Sequence, residues 1–345
     1  FYLPEAGRKA AAISANSEAV QRLERALETS SRLPETLERT RQAIDLRLDL
    51  RAPLMQLGRL EEVHRLSREA EELARVLGDE RRLARVYTYL VDYYYLKGEP
   101  DQAIAYGQRC LEIGDRPDAP GIERGARLHM ATSYHALGRY AMAGEMLARN
   151  IADLEGGTEF TRAGPENILY VSSGGWLAFA RAETGEFAEA HTVAGKALQA
   201  AEDAGNAYAR AIAGTLAGLC WMRQGHADRA LPLLEQAFEL CRERRLILWQ
   251  PIPSSLLGLG YALSDKLEVG LGLLHEAVAE THTLGINVYR SLWEAHLAEG
   301  LLVAGQWLRA IDVARSAIDL SATYKEAGHH ARALMLLGAA YVCAG

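Results

Sequence analysis

The sequence predicts an all-α protein, a solenoid of about eight helix hairpins, and three observations support this prediction. A turn residue returns every forty residues through the second half of the chain, at Gly185, Gly225, Asp265, Gly305 and Gly345. Small residues follow five and twelve residues after each of the first four of these positions. Good helix formers dominate the composition, and the β-branched runs expected of a sheet are missing. A fixed period of this kind indicates stacked copies of one supersecondary unit.

The same pattern extends towards the start of the chain. Gly138, Gly98 and Gly58 occupy the turn position, and a single step of 47 residues separates Gly138 from Gly185. The small residues that follow the turns are Ala190, Ala230, Gly270 and Ala310 at plus five, and Ala197, Ala237, Ala277 and Ala317 at plus twelve. The repeat therefore covers almost the whole sequence.

Each repeat is predicted to be a pair of helices joined by a tight turn. The run LLVAGQWLRAIDVARSA, residues 301–317, shows apolar positions three and four residues apart on both sides of Gly305. Glycine suits this turn because a left-handed residue commonly ends a helix there. Alanines seven residues apart share one helix stripe, where a small side chain lets the partner helix approach closely.

This pattern resembles the tetratricopeptide repeat. Gly185, Phe187, Ala190 and Ala197 match its turn glycine, aromatic and two packing alanines. Tyr134, Tyr261 and Tyr341 fall at its first-helix tyrosine, and Gly218, Gly258 and Gly338 at its early small position. The usual period is 34 residues, and forty is closer to HEAT or armadillo arrays, which stay as the alternative. The resemblance implies a right-handed superhelix.

A closer resemblance is to the C-terminal repeat region of bacterial multidomain regulators that combine a cyclase or a DNA-binding domain with a signalling ATPase. The stretches that carry it are YLPEAGRKA (2–10), LMQLGRLEE (54–62), LPLLEQAFELCRE (231–243) and SLWEAHLAEGLLVAG (291–305). It implies a non-catalytic sensor or scaffold arm that binds a protein or peptide partner, or other domains of the same polypeptide. Because the chain starts at Phe1 and stops on a turn glycine, Gly345, we expect a segment of a longer protein.

The chain is predicted to divide into N-terminal hairpins over 1–154, an inserted loop over 155–167 and C-terminal hairpins over 168–345. The loop holds the seven residues that lengthen one step, and its glycines and proline favour a turn over helix. A surface loop and a binding loop both remain open. Within the second hairpin, Pro53 is expected to kink the first helix or end it early.

Composition excludes several classes of partner. A net charge of −7 and short basic runs beside acids give no reason to expect nucleic-acid binding. No apolar run is long enough to cross a membrane, and no signal peptide opens the chain. The four cysteines lack metal-ligand spacing, and Cys110 stands at a packing position, so we expect a reducing, cytoplasmic setting.

Catalytic and cofactor motifs are missing from the sequence. The glycine pairs Gly258/Gly260 and Gly270/Gly272 lack the third glycine of a nucleotide loop and are interpreted as helix-packing residues. His275-Glu276 begins a zinc motif that fails at Ala279, and His282 lies two turns away, too far to share an ion. His329 and His330 are expected at the surface. We therefore predict no catalytic, metal or cofactor site.

The resemblance implies a concave groove built from first-helix positions. The residues predicted to line it are Arg85, Thr88, Asp92, Tyr95, Thr132, His135, Phe179, Glu183, Thr215, Leu219, Met222, Arg223, Leu259 and Glu299. Their mixture of apolar and polar side chains suits a peptide or partner helix better than a phosphate. The tyrosines at 87, 89, 93, 94 and 95 are expected either to pack with exposed hydroxyls or to form a binding patch.

Two alternatives to the regulatory arm stay open. A small-ligand sensor of a transcription activator would show a closed apolar pocket with converging polar groups between first helices. A free-standing adaptor would show a continuous exposed groove. An enzyme would require a bound metal or nucleotide.

Overall fold

The structure is a computed structural model, and it describes residues 2–12, 15–114, 122–156 and 166–345. Within these ranges the regular structure is helical throughout, as predicted. The seventeen helices are α1 Tyr2–Ala12, α2 Asn16–Ser31, α3 Leu37–Gln56, α4 Leu60–Leu77, α5 Glu80–Leu96, α6 Pro100–Gly114, α7 Ile122–Ala136, α8 Tyr140–Glu155, α9 Asn167–Glu183, α10 Phe187–Ala204, α11 Ala207–Gln224, α12 Ala227–Arg244, α13 Pro251–Ala262, α14 Leu267–Leu284, α15 Arg290–Val303, α16 Trp307–Thr323 and α17 Ala327–Ala344.

The chain divides into two compact units. The first unit holds Phe1–Tyr94 and Asp101–His129, and the second holds Tyr95–Pro100 and Met130–Gly345. The division predicted at 155–167 stays a prediction, because residues 157–165 lie outside the described part of the chain. In the first unit α1, α2, α3 and α4 pack in succession around a core that includes Leu23, Leu50 and Leu54.

In the second unit, odd-numbered helices are the first helices of hairpins and even-numbered helices are the second. From α9 to α16 each first helix packs against its own second helix and against the first helix of the next hairpin. The small residues predicted at the packing positions are buried: Ala190, Ala230 and Ala310 have no exposed surface. A Cβ on Gly258 would lie 2.9 Å from the Gly270 carbonyl oxygen, so the glycines of α13 and α14 allow close helix approach.

The predicted turn glycines stand at bends between helices. Gly225 ends α11 in the left-handed region at φ 85, where its N–H donates to the Met222 carbonyl and the next N–H donates to Trp221. These two bonds satisfy carbonyls that the end of the helix would otherwise leave free. Left-handed residues also recur every forty residues at the ends of second helices, at Gly205, Arg245, Gly285 and Lys325. The sequence reasoning did not find this second series, because two of its members are not glycine.

The structure excludes one of the two effects expected of Pro53, and it corrects the expectation for His329. The first helix of the second hairpin runs three residues past Pro53 to Gln56, so the proline does not end it early. A proline near the C-terminal end of a helix interrupts few bonds, and here the Leu57 N–H donates to the Pro53 carbonyl at 3.2 Å. His329, expected at the surface, is only 3% exposed and packs beside Glu326 in the second unit.

Candidate functional site

An aromatic–histidine cluster lies inside the second unit, and residues far apart in the sequence form it. We use this name for His135 of α7, Trp176 and Phe179 of α9, Tyr289, Trp293 and His296 of the α15 region, and His329 of α17. The His135 ring lies 4.1 Å from Phe179 and 5.9 Å from Tyr289, and Tyr289 lies 5.0 Å from His329. Side chains from first helices of non-adjacent hairpins therefore meet at one place.

Tyr289 occupies the centre of this cluster. It is 3% exposed, and its backbone has φ 60, the left-handed region that a tyrosine rarely adopts. Its N–H donates to Glu326 Oε1 at 2.7 Å, while the Ser291 hydroxyl donates to Glu326 Oε2. Glu326, which has no exposed surface, thus ties the segment before α15 to the start of α17. Neighbouring structure holds the strained residue in place.

The two most buried histidines of the cluster each have one ring nitrogen engaged and one free. His135 Nδ1 shares a hydrogen bond with the Tyr289 hydroxyl at 2.6 Å, and His296 Nδ1 shares one with Ser255 Oγ at 3.0 Å. Neither Nε2 atom has a hydrogen-bond partner among the described residues. Burial lowers the pKa of both histidines well below the ordinary value, so both rings are neutral at pH 7. Each of these two Nε2 atoms is therefore a buried polar atom whose hydrogen-bonding capacity is unsatisfied, which is uncommon in folded proteins.

Two arginine–glutamate pairs flank the cluster. Arg223 Nε donates to Glu183 Oε1 at 2.6 Å, and the Arg223 guanidinium lies 5.8 Å from the centre of the Phe179 ring. Arg332 donates to Glu299, while its own Nε has no partner among the described residues. Burial, and then the nearby charge of Arg223, lowers the pKa of Arg332. The second unit therefore combines aromatic faces, neutral imidazoles and paired charges.

Most of the residues predicted to line a groove belong to the second unit. Thr132, His135, Phe179, Thr215, Leu219 and Leu259 are buried, and Tyr95, Glu183, Met222, Arg223 and Glu299 are half-buried. The structure brings His135, Phe179, Glu183 and Arg223 together, and it places Met222 against the core that contains Leu259. Thr215 Oγ1 accepts a bond from Trp249 Nε1 at 3.2 Å. Whether these residues bind a partner stays a prediction.

The other three predicted residues lie in the first unit. Asp92 is 8% exposed and accepts a bond from Arg51. Burial opposes its charge, but Arg51 holds the pKa of Asp92 below its ordinary value. Arg85 lies 3.7 Å from Asp45, and the Thr88 hydroxyl lies 3.4 Å from Cys110 Sγ. Here the predicted positions are occupied by an ion pair and by packing contacts.

A small cavity of about 60 Å³ adjoins the aromatic–histidine cluster in the second unit. Tyr289 and Trp293 form part of its wall, together with Tyr95 and Trp249. Tyr289 and Trp293 are therefore members of the cluster and also border the cavity.

Sequence reasoning missed Tyr289, Trp293, His296 and Glu326. Trp293 and His296 stand on a first helix, so the register could have found them, but no motif distinguishes them from core residues. Tyr289 lies before α15, outside the repeat pattern altogether. Its position depends on how several hairpins pack, which a local pattern does not specify.

Two other kinds of feature are absent from the described residues. Within the described ranges no three histidine, cysteine or acidic side chains come together as metal ligands. The helices there are also too short or too polar to traverse a lipid bilayer.

The sequence matches no protein-family model and no curated protein. Its structure is similar to several solved structures. A Rap protein complexed with the competence and sporulation factor matches with a TM-score of 0.61 and 13% identity over 99% of this chain and 98% of that one. A Rap conjugation gene regulator of the plasmid pLS20, in complex with the Phr* peptide, matches with a TM-score of 0.54 and 10% identity over 96% and 95%.

A third similar structure is a signal transduction ATPase with numerous domains from Pyrococcus horikoshii, which carries a tetratricopeptide repeat sensor. It matches with a TM-score of 0.55 and 15% identity over 87% of this chain and 43% of that chain, so the likeness spans less than half of that ATPase. At these identities the comparisons concern the fold alone. The chain has a tetratricopeptide-like, all-α repeat fold.

Proposed function

We propose that this chain is a non-catalytic sensor module that binds a peptide or a protein segment through the second unit. The observation that carries the proposal is the contact between His135 and Tyr289, which brings the inner positions of several first helices to one place. A surface assembled from many repeats is what this class of fold uses to recognise extended partners. The Phr* peptide bound to one of the similar structures supports the same class of partner.

The chemistry of the site supports a peptide. Aromatic side chains and arginine dominate the binding energy of protein interfaces, and Trp176, Phe179, Tyr289 and Arg223 lie together here. Neutral imidazoles and paired charges give no preference for a phosphate.

The size of the cavity beside Tyr289 argues against a small ligand at that place. Pockets that enclose a whole drug-sized ligand have volumes of about 300–1,000 Å³. The cavity beside Tyr289 has about 60 Å³, and converging polar groups do not line it in the described part of the chain. It holds a side chain more readily than a metabolite.

We place the module in a regulatory protein with a signalling ATPase or cyclase. This rests on the resemblance of the sequence stretches given above and on the likeness to part of the Pyrococcus horikoshii signal transduction ATPase, which carries a tetratricopeptide repeat sensor. Binding of a partner to the module would then change the activity of the other domains. The module itself supplies recognition and no chemical step.

A selection experiment tests the proposal. A random peptide library displayed on phage is selected against the purified chain, and enriched peptides are synthesised and measured by isothermal titration calorimetry. We expect enriched peptides to bind with a Kd of about 10 μM or tighter, equal to about −7 kcal/mol. Arg223→Gln, which removes the guanidinium beside Phe179, should weaken binding about tenfold or more.

Arg181→Gln is the matched control. Arg181 also lies beside a glutamate, Glu186, but both side chains of that pair are more exposed, at 30% and 45%. Binding to this variant should equal that of the wild type. If no peptide is enriched, or if Arg223→Gln and Arg181→Gln bind the enriched peptides equally well, the proposed site is wrong.

A further inference from the structure

The small cavity beside Tyr289 has a buried floor and a half-buried rim. Thr281, Ile286, Val288, Tyr289 and Trp293 form the floor and are at most 5% exposed. The rim consists of Tyr95, Leu96, Leu248, Trp249 and Ile252, all half-buried. The cavity therefore opens to solvent on one side.

Hydrogen bonds hold the walls in place. The Asn287 N–H donates to the Leu96 carbonyl at 2.8 Å, and the Asn287 side chain donates to the Lys97 carbonyl at 3.1 Å. On the opposite wall, Trp249 Nε1 donates to Thr215 Oγ1. These bonds fix the end of α5, the turn before α13 and the segment before α15, so hydrogen bonds define the shape of the cavity.

The lining of the cavity is apolar in character. In the described part of the chain no charged side chain lines it. The Thr281 hydroxyl, at the floor, already donates to the Ala277 carbonyl at 3.2 Å, and the indole N–H of Trp249 is engaged by Thr215. A ligand would form few hydrogen bonds in this cavity. An apolar group would instead be stabilised by moving from water into contact with the aromatic side chains of the wall.

The volume limits the size of the ligand. A cavity of about 10–15 Å³ holds one water, and an apolar cavity of about 150 Å³ binds benzene. The value of about 60 Å³ lies between these and suits a group the size of a branched aliphatic side chain.

We propose that this cavity binds one aliphatic side chain, of valine, leucine or methionine, from the peptide that the module recognises. The inference rests on the proposed function. Continuity with the proposed peptide site supports this occupant, because Tyr289 borders the cavity and lies in the aromatic–histidine cluster, 6.5 Å from Tyr95 and 5.9 Å from His135.

Ile252→Trp tests the inference by filling the cavity from its rim. Peptides enriched on the wild-type chain should share one aliphatic position, and replacing that residue by alanine should weaken binding about tenfold or more. Ile252→Trp should weaken the parent peptide by a similar factor and should affect the alanine peptide much less. Ile318→Trp is the control, because Ile318 is also half-buried but packs against a different core cluster.

Xenon provides a probe that does not depend on any peptide. Its binding to the wild-type chain, followed by ¹²⁹Xe NMR, should be lost in Ile252→Trp and kept in Ile318→Trp. Peptides that bind Ile252→Trp as tightly as wild type would overturn the anchor while leaving the proposed function intact. Xenon binding without any enriched peptide would contradict both, since the cavity would then be only a packing defect.

Discussion

The hydroxyl of Tyr289 lies 2.6 Å from Nδ1 of His135, although 154 residues separate them in the sequence. Both side chains are buried, and burial raises the pKa of Tyr289 well above its ordinary value, so the phenol keeps its proton. The contact joins the end of α7 to the segment before α15 inside the second unit. The two residues take part in four features of the site: the buried histidine, the left-handed tyrosine, the aromatic–histidine cluster and the wall of the cavity.

Tyr289→Phe removes only the hydroxyl and leaves His135 Nδ1 without its partner. The unpaired buried group should lower the free energy of unfolding by about 1–3 kcal/mol. Urea denaturation followed by circular dichroism measures this difference. Tyr341→Phe, at a side chain that is 47% exposed, should change stability by less than about 0.5 kcal/mol. Equal stability of Tyr289→Phe and wild type would show that the hydrogen bond contributes nothing.

Because His135 and His296 are buried, we predict that the free energy of unfolding decreases as the pH is lowered. Burial, then repulsion from His329 and Arg223, holds the pKa of His135 far below its unfolded value of 6.5, and burial does the same for His296. Below about pH 6.5 the unfolded chain therefore binds more protons than the folded chain. By linkage, the free energy of unfolding rises with pH below about pH 6.5. The contribution of these histidines is present above that pH and is lost progressively as the pH falls from about 6.5 towards their folded pKa.

Each histidine should contribute up to about 1.4 kcal/mol per pH unit to the slope of the free energy of unfolding against pH, between pH 6.5 and 5. Urea denaturation at pH 7, 6 and 5 measures the slope. His296→Gln should reduce the slope, and His282→Gln, at an exposed position, should leave it unchanged. Because Glu294 has a pKa raised by burial, which acts in the opposite direction, the comparison between variants isolates the histidine contribution. Identical slopes in all three proteins would contradict the assignment.

Packing of the small residues gives a third prediction, which tests the repeat register. Ala230 has no exposed surface and lies where α12 meets α11. Ala230→Trp should overpack this contact and lower the free energy of unfolding by about 1–3 kcal/mol or more. Ala188→Trp, at an exposed position of α10, is the control and should change the melting temperature little. An unchanged melting temperature in Ala230→Trp would mean that the position is not a tight contact.

The fold was predictable because its signals are local. Gly225 ends α11, and Ala230 lies five residues later on α12, in the contact with α11, so one hairpin contains both the turn and the contact that it permits. Repetition of that hairpin then specifies the class of fold. The resemblance to the repeat family assigned His135, Phe179 and Arg223 to the lining of a groove. The structure brings the three side chains together, and whether they line a groove stays a prediction.

The centre of the site was not predictable from such signals. The contact between His135 and Tyr289 depends on small rotations added over several hairpins, and no residue pair within one repeat encodes their sum. His329 was expected at the surface because a single helix shows no partner for it. Its burial follows from Glu326 and Ser291, which approach it from the start of α17 and from α15.

The ion pair between Arg223 and Glu183 gives a fourth prediction. Their side chains are 13% and 17% exposed, which lies between a surface pair and a fully buried one. Glu183→Gln should therefore lower the free energy of unfolding by about 1–3 kcal/mol. A surface pair contributes about 0–1 kcal/mol, and breaking a fully buried pair costs about 3–5 kcal/mol. Urea denaturation measures the cost. Glu186→Gln, in the more exposed pair with Arg181, is the control and should cost less than about 0.5 kcal/mol. Equal costs at the two sites would mean that burial of the pair has no energetic consequence.

The series of left-handed residues at the ends of second helices gives a fifth prediction, with a reciprocal pair of variants. Gly205 has φ 61 with open space around its Cα, and Arg245 has φ 53 at the equivalent turn forty residues later. Gly205→Ala should cost about 1 kcal/mol through backbone strain alone, because a new methyl group there meets no neighbour. Arg245→Gly should relieve that strain, and the greater entropy of the unfolded glycine should offset part of the gain. We expect opposite signs for the two variants in thermal denaturation. Destabilisation by both would show that the arginine side chain, and not the backbone conformation, determines stability at this turn.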